Sequence, residues 1–302
     1  RANKKTERQI RDSFGKTPFR KAEDLDDLTA YHVYASQVES NKVLIDDITW
    51  NDLNMDDAFR RINACSCSVG EEYLYHMLHE LKTNLPDLEK RERLVKWVEE
   101  HPEERVTLQK TLLGIGKKGG NGLSFYLFHA HAKKLEHAWM YVVMAFLPVV
   151  GVALALSIKD AGVFFVMCPV AANIFLYSRK RMALEGELET MQYFSAFLYG
   201  AKSMNRKLGR QVKSLGYDLT AALRPFRRVG GLIPGRVQQL ASNFESFIIF
   251  FKTVFLVDLI LFNRTVSYLI RYTDELNRLF EIVGDLDTAI CIASFRRSLE
   301  LY

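Results

Sequence analysis

Four side chains with metal-binding chemistry stand close together in this chain of 302 residues: Cys65, Cys67, His76 and His79. Thiolate and imidazole are the usual ligands of structural zinc, but Cys-x-Cys is a tighter spacing than such sites use. His76 and His79 also ride a helix whose other face is apolar. The expectation is half-buried thiols and solvated imidazoles, with no metal ligand assigned. Two glycine clusters invite a phosphate loop. Gly114-Ile115-Gly116-Lys117-Lys118-Gly119-Gly120 lacks the G-x4-G-K-S/T order, and Gly230 to Gly235 is followed by Arg236 and Val237 where lysine and a hydroxyl are required. Both read as loops. No Ser/His/Asp or paired-carboxylate spacing suggests a catalytic centre, so the chain itself is read as holding no catalytic residue and no cofactor. The remaining constellation is basic. Arg206, Arg210 and Lys213 fall at i, i+4 and i+7, one side of a helix, with Lys207 beside them. That face suits phosphate, whether of duplex DNA or of anionic lipid headgroups.

The element that must position this basic face is apolar. Ala138 to Ile158 contains no charged residue, Lys159 and Asp160 follow, and Ala161 to Ser178 is a second uncharged run. At about 1.5 Å per residue the first run makes a helix of roughly 31 Å, close to the hydrocarbon thickness of a bilayer. Two such runs joined by two residues form an antiparallel hairpin, expected here to be transmembrane over 138–178. Pro148, Gly151 and Pro169 are tolerated in membrane helices because neighbours satisfy the freed backbone groups. Gly151, Ala153, Ala155, Ala171 and Ala172 allow close packing. Lys133 and Lys134 precede the hairpin and Arg179, Lys180 and Arg181 follow it. The positive-inside rule then places both ends in the cytoplasm, at a bacterial-type inner or plasma membrane. His129, His131 and His137 fall near that interface. The basic segment 179–236 carries a net charge of +8 against +5 for the whole chain, which leaves −3 elsewhere. Its place directly after the hairpin favours lipid.

The rest reads as helix, so the fold class is all-α. Residues 1–42 are a polar helical lead-in with a modest apolar cluster of Tyr31, Val33 and Tyr34. Residues 43–137 hold a short helix capped by Asp56 or Asp57, and a Ser68–Glu71 capping box opening a helix with Leu74, Met77, Leu78 and Leu81 on its core face. Leu184 to Lys213 is helical, and Arg224–Gly235 is a loop. From Val237 to Val283 almost nothing breaks a helix, so one very long helix or two nearly coaxial ones are expected, interrupted at Gly284 and Asp285 before a final helix; together they make up 237–302. The run Phe247 to Phe262 contains Lys252 and Asp258, which favours a core or surface helix over a third span. Four cysteines without a disulfide pattern suit a reducing compartment.

Several stretches carry a family resemblance. Ile45-Asp46-Asp47-Ile48-Thr49, Asn51-Asp52-Leu53, Arg61-Ile62-Asn63-Ala64 and Val69-Gly70-Glu71-Glu72-Tyr73-Leu74 resemble the start of the helical core of MutS mismatch-repair proteins. Arg91, Leu94 and Val95 are similar to the helix that follows in that family. Gly284-Asp285-Leu286-Asp287 with Ala289, Ile290 and Ala293 resembles the segment just before the family's ATPase domain. The likeness covers 43–98 and 237–302. It implies a piece of a longer protein that stops short of an ABC-type ATPase domain, where ATP and magnesium would bind and through which a homodimer would form. It also implies that the long helices carry nucleotide state outward. The departures are clear: no mismatch-recognition wedge precedes Val43, and the hairpin stands where levers and a DNA clamp would be. The expectation is a non-catalytic core and lever region of a membrane-anchored MutS-related ATPase. The competing reading is a helical membrane scaffold with no nucleic-acid role.

Overall fold

A computed structural model describes residues 2–18, 25–38, 42–117, 122–157, 162–227 and 245–299. Among them the chain is all-α, with no strand. The helices are α1 (Ala2–Ser13), α2 (Ala30–Val38), α3 (Asp47–Asp52), α4 (Met55–Ile62), α5 (Ser68–His79), α6 (Leu85–Glu100) and α7 (Pro102–Ile115). They continue as α8 (Gly122–His129), α9 (Ala138–Ser157), α10 (Gly162–Ser214), α11 (Leu219–Leu223), α12 (Glu245–Val254), α13 (Val257–Arg271) and α14 (Thr273–Ser298). Two compact units emerge. The first comprises Arg1–Phe128, Ala196–Arg227 and Thr273–Tyr302; the second comprises His129–Ser195 and Arg228–Tyr272.

The first unit is built around α14. Leu276, Leu279, Phe280, Val283, Leu286, Ala289, Ile290 and Ala293 are all buried along it. Its closest neighbour is α5, and the two meet through reciprocal glycines. A β-carbon at Gly284 would overlap the Tyr73 ring, and one at Gly70 would overlap the Asp287 carboxylate. The pairs 70–287 and 73–284 advance in opposite directions, so the helices cross antiparallel at very short range. This contact explains why Gly284 does not interrupt α14, contrary to expectation. A glycine costs about 1 kcal/mol in a helix interior, but burying Tyr73 against the gap it leaves returns more. At the far end of α14, Arg296 donates to both Glu92 carboxylate oxygens, at 3.0 and 2.7 Å, fixing it to α6.

Other local expectations change for similar reasons. Cys67, not Ser68, occupies the N-cap of α5, and its side chain makes no capping hydrogen bond. Glu71 instead accepts from Asn63 Nδ2 at 3.0 Å and from Lys117 Nζ at 2.9 Å. Asn54, in the left-handed region, precedes α4 rather than Asp56 or Asp57; Asp56 accepts from the Trp50 indole at 2.8 Å. The apolar stripe along α5 understates its burial, because α5 is enclosed on nearly every side while Leu81, beyond its end, is exposed. Tyr31 of the lead-in stacks on Phe280, ring centroids 4.5 Å apart, and belongs to the core.

The expected long helix over 237–283 is also absent. Residues 228–244 lie outside the described set, and beyond them α12 and α13 are bent by 67° at a break where Leu256 is left-handed. A second break falls at Tyr272, and α14 starts at Thr273. Nothing interrupts the backbone between the second apolar run and the basic segment: α10 runs from Gly162 to Ser214 as one helix of 53 residues.

Candidate functional site

In the second unit the antiparallel packing of the two apolar helices follows from three pairings. Gly151 lies against the Phe165 carbonyl, Met144 meets Asn173, and Tyr141 and Tyr177 share one buried cluster. The position numbers rise along α9 as they fall along α10. Both prolines free a carbonyl one turn back, because proline has no N–H to donate. Pro148 leaves the Met144 carbonyl without its helical donor, and Asn173 Nδ2 supplies one at 2.8 Å. Pro169 leaves the Phe165 carbonyl, and the missing side chain of Gly151 lets the opposite helix close over it. The proline and glycine residues are thus paired across the hairpin.

Asn173 is fully buried and does more. The same Nδ2 donates at 2.8 Å to the Val254 carbonyl, which the break at Leu256 has stripped of its own helical partner. One amide therefore ties α9, α10 and α12 together. One turn further on, Tyr177 donates to Asp258 Oδ2 at 2.9 Å, and Lys252 Nζ lies 3.7 Å from Asp258 Oδ1. The outer surface is the reverse. Trp139, Phe146, Leu156, Phe164, Met167 and Phe175 are all exposed. An 18-residue stretch of α9 has a mean hydropathy of 2.2 and one of α10 a mean hydropathy of 1.2, with only 17% and 11% of each buried. Both helices are long and apolar enough to cross a membrane. Residues 158–161, which hold the expected connecting turn, lie outside the described set.

The basic residues stay in the first unit. Arg206, Lys207, Arg210 and Lys213 are all exposed near the end of α10, as their spacing predicts, while Met204, Leu208 and Val212 between them are buried. Lys213 is partly neutralised by Asp218 at 2.9 Å. The lysine-rich cluster after Gly114 falls partly in the undescribed 118–121, and the 230–235 cluster lies wholly outside the described residues.

The cysteines and histidines are not where spacing placed them. Cys65, Cys67, His76 and His79 are all buried, which corrects the expectation of half-buried thiols and solvated imidazoles. The reason is the enclosure of α5. His79 stacks on Trp50 with centroids 3.6 Å apart and engages the Tyr75 carbonyl, and burial pushes its pKa down. The thiols turn instead to α14. Cys65 Sγ lies 3.1 Å from Cys291 Sγ, and Cys67 Sγ donates to Asp287 at 3.3 Å. Burial raises the pKa of both Cys65 and Cys67. Cys65, Cys291 and Asp287 offer three donor atoms within 4.8 Å of one another. The carboxylate, however, is already engaged by the amides of Ser66 and Cys67 at 3.0 to 3.1 Å. It anchors the turn that enters α5, a role sequence spacing gave no way to see. Burial raises the Asp287 pKa to about 6 against the opposing pull of those amides.

An open cleft of about 300 Å³ in the first unit is lined by residues including Lys42, Glu80, Lys90, Arg91 and Asp285. Its charges are balanced internally. Lys42 and Lys82 flank Glu80 at 3.8 and 3.6 Å, Arg91 lies 3.8 Å from Asp285, and Lys90 sits over the Tyr217 ring. This is an ion-pair network, not a cradle for one sign of charge.

No protein-family model matches the chain, and neither a curated protein nor a solved structure matches it. The functional reading therefore rests on the chain's own sequence and geometry.

Proposed function

We propose that this chain is a membrane-anchored helical module, the core and lever region of a MutS-related ATPase. The observation that carries the anchoring is the inverted character of the second unit. Along the hairpin, polar groups turn inward onto Asn173 and Asp258, while aromatic and aliphatic side chains cover the outside. In water that arrangement would expose a large apolar surface with nothing to offset the cost. In hydrocarbon it is the required one, because unpaired backbone groups there cost several kcal/mol. Lysine and arginine at both ends of the hairpin support a cytoplasmic position for those ends.

The MutS-related part of the proposal is supported by the residue patterns in 43–98 and 237–302 and by an all-helical core centred on α14. In this reading ATP and magnesium bind in a domain beyond Tyr302, through which two copies pair, and α14 receives its movement. The exposed face of Arg206, Lys207, Arg210 and Lys213 meets phosphate. Along α10 the face begins 28 residues, about 42 Å, beyond Ser178; its partner is either the anionic lipid expected of the basic segment or the duplex DNA that the family resemblance adds.

Three measurements test this. A cysteine introduced at Asp160 should react with an impermeant thiol reagent from outside intact cells, and one at Lys117 only after permeabilisation; labelling of both from one side overturns the hairpin. A phosphate-loop sequence in the reading frame beyond Tyr302 supports the ATPase relationship, and its absence rejects it. In a chain lacking Ala138–Ser178, charge reversal at Arg206, Arg210 and Lys213 should abolish binding to anionic vesicles. If duplex binding falls instead and vesicle binding stands, the face serves DNA. A second reading, a helical scaffold without nucleic acid, is favoured if neither ligand binds and no such loop follows.

A further inference from the structure

The run Phe247 to Phe262 was expected to stay out of the membrane because Lys252 and Asp258 would be costly there. The structure removes much of that objection. We propose that α12 and the start of α13 form a third membrane-inserted element, entering the hydrocarbon beside the hairpin and turning at Leu256. The proposal rests on the membrane reading of the hairpin and deepens it.

Three observations within the second unit converge. First, the two charges neutralise each other: Lys252 Nζ and Asp258 Oδ1 are 3.7 Å apart, and each side chain is only 13% exposed. Tyr177 adds a hydrogen bond to the other carboxylate oxygen. A paired, hydrogen-bonded charge avoids most of the penalty an isolated one carries in the bilayer. Second, the break itself is satisfied from within. The Val254 carbonyl accepts from Asn173, a residue of the apolar hairpin, and not from solvent. An exposed helix break in water has no need of a buried partner, whereas one in hydrocarbon does. Third, the outward face is apolar. Phe247, Phe250 and Phe251 recur at i, i+3 and i+4, joined by Ile249, and all four are exposed.

Geometry also limits how far the element goes. α12 has 10 residues and spans about 15 Å, roughly half the hydrocarbon thickness. With the 67° bend after it, α12 cannot cross as one straight helix with α13. It penetrates part way and turns, as broken helices do where protein lines the break. The occupant of the Phe247–Phe251 face is therefore lipid acyl chain, continuous with the lipid that covers the hairpin.

The test uses the full chain with Cys168→Ala, reconstituted in phospholipid vesicles. Phe250→Cys or, as hairpin reference, Val143→Cys adds an accessible thiol to a chain whose remaining Cys65, Cys67 and Cys291 are buried, and carries an environment-sensitive fluorophore. Both positions are exposed, so labelling leaves the packing intact. Lipids spin-labelled along the acyl chain should reduce emission at both sites by roughly two-fold or more, and aqueous iodide should leave both unchanged. Quenching at Val143 but not at Phe250 overturns the third element while the hairpin stands. Protection of Phe250 from both iodide and lipid quenchers means protein covers that face, and also overturns it. Absence of lipid quenching at both sites rejects the membrane reading itself.

Discussion

In the first unit the Asp287 carboxylate accepts hydrogen bonds from the Ser66 and Cys67 amides; in the second the Asn173 amide donates to the Met144 and Val254 carbonyls. Each buried side chain repairs backbone that has left regular hydrogen bonding, and each fixes one helix against others. Their surroundings differ. Around Asp287 the interior also holds Glu72, His76 and His79, and the surface carries charged pairs such as Arg8–Asp12 and Lys96–Glu92. Around Asn173 the exposed side chains of the hairpin are apolar, Phe146, Phe164 and Phe175 among them. What a surface exposes bears on its solvent: in the proposed reading the first unit faces water and the hairpin faces a medium that offers no hydrogen bonds.

The comparison can be broken at its two anchors. Asp287→Ala leaves two buried amides without an acceptor and opens space against Gly70. We expect a loss of about 3–5 kcal/mol in urea unfolding of the full chain in detergent micelles. A loss below about 1 kcal/mol would show that water reaches that turn. Asn173→Leu is matched in size and removes one donor serving two carbonyls. In an anhydrous environment it should cost about 2–4 kcal/mol, whereas carbonyls that could rehydrate would make it nearly neutral. The Asn173 result is thus a stability readout of the solvent around the second unit.

A smaller effect concerns pH. Glu72 is buried beside the Ser124 hydroxyl, and burial raises its pKa to about 8 from the ordinary 4.5. Between those values the folded chain holds a proton that the unfolded chain has released. Stability contributed by this group is therefore present at low pH and lost as pH rises towards 8, with a slope of at most about 1.4 kcal/mol per pH unit. Asp287, raised to about 6, acts in the same direction between about pH 4 and 6. Glu72→Gln should flatten the profile between pH 6 and 8, measured by urea unfolding at fixed ionic strength. An unchanged slope would place the proton elsewhere. The smallest effect is expected at the surface. Charge reversal of Arg206, Arg210 and Lys213 should change stability by less than about 1 kcal/mol, since these side chains are exposed. A large loss would make the basic face structural and remove it as a binding surface.

Periodicity and composition were enough for the all-helical class, the two long apolar helices and the exposed basic face. Those properties are local: a run of uncharged residues or an i, i+4, i+7 spacing states its own helix and face. The sequence also contained Pro148, Gly151, Pro169 and Asn173, but nothing in their spacing said that they answer one another, because each pairing joins α9 to α10, between residues far apart in the chain. The tertiary structure decided the rest. It kept α14 unbroken at Gly284 by packing Tyr73 there, and it broke the long apolar stretch at Leu256 while giving Val254 a new donor. It buried His76 and His79 by surrounding α5, and it turned Lys252 and Asp258 from an obstacle into a pair. A helix break, a buried charge or a glycine has a local cost that sequence can state. Whether the cost is met depends on a partner far away in the chain, and only folding brings that partner into reach.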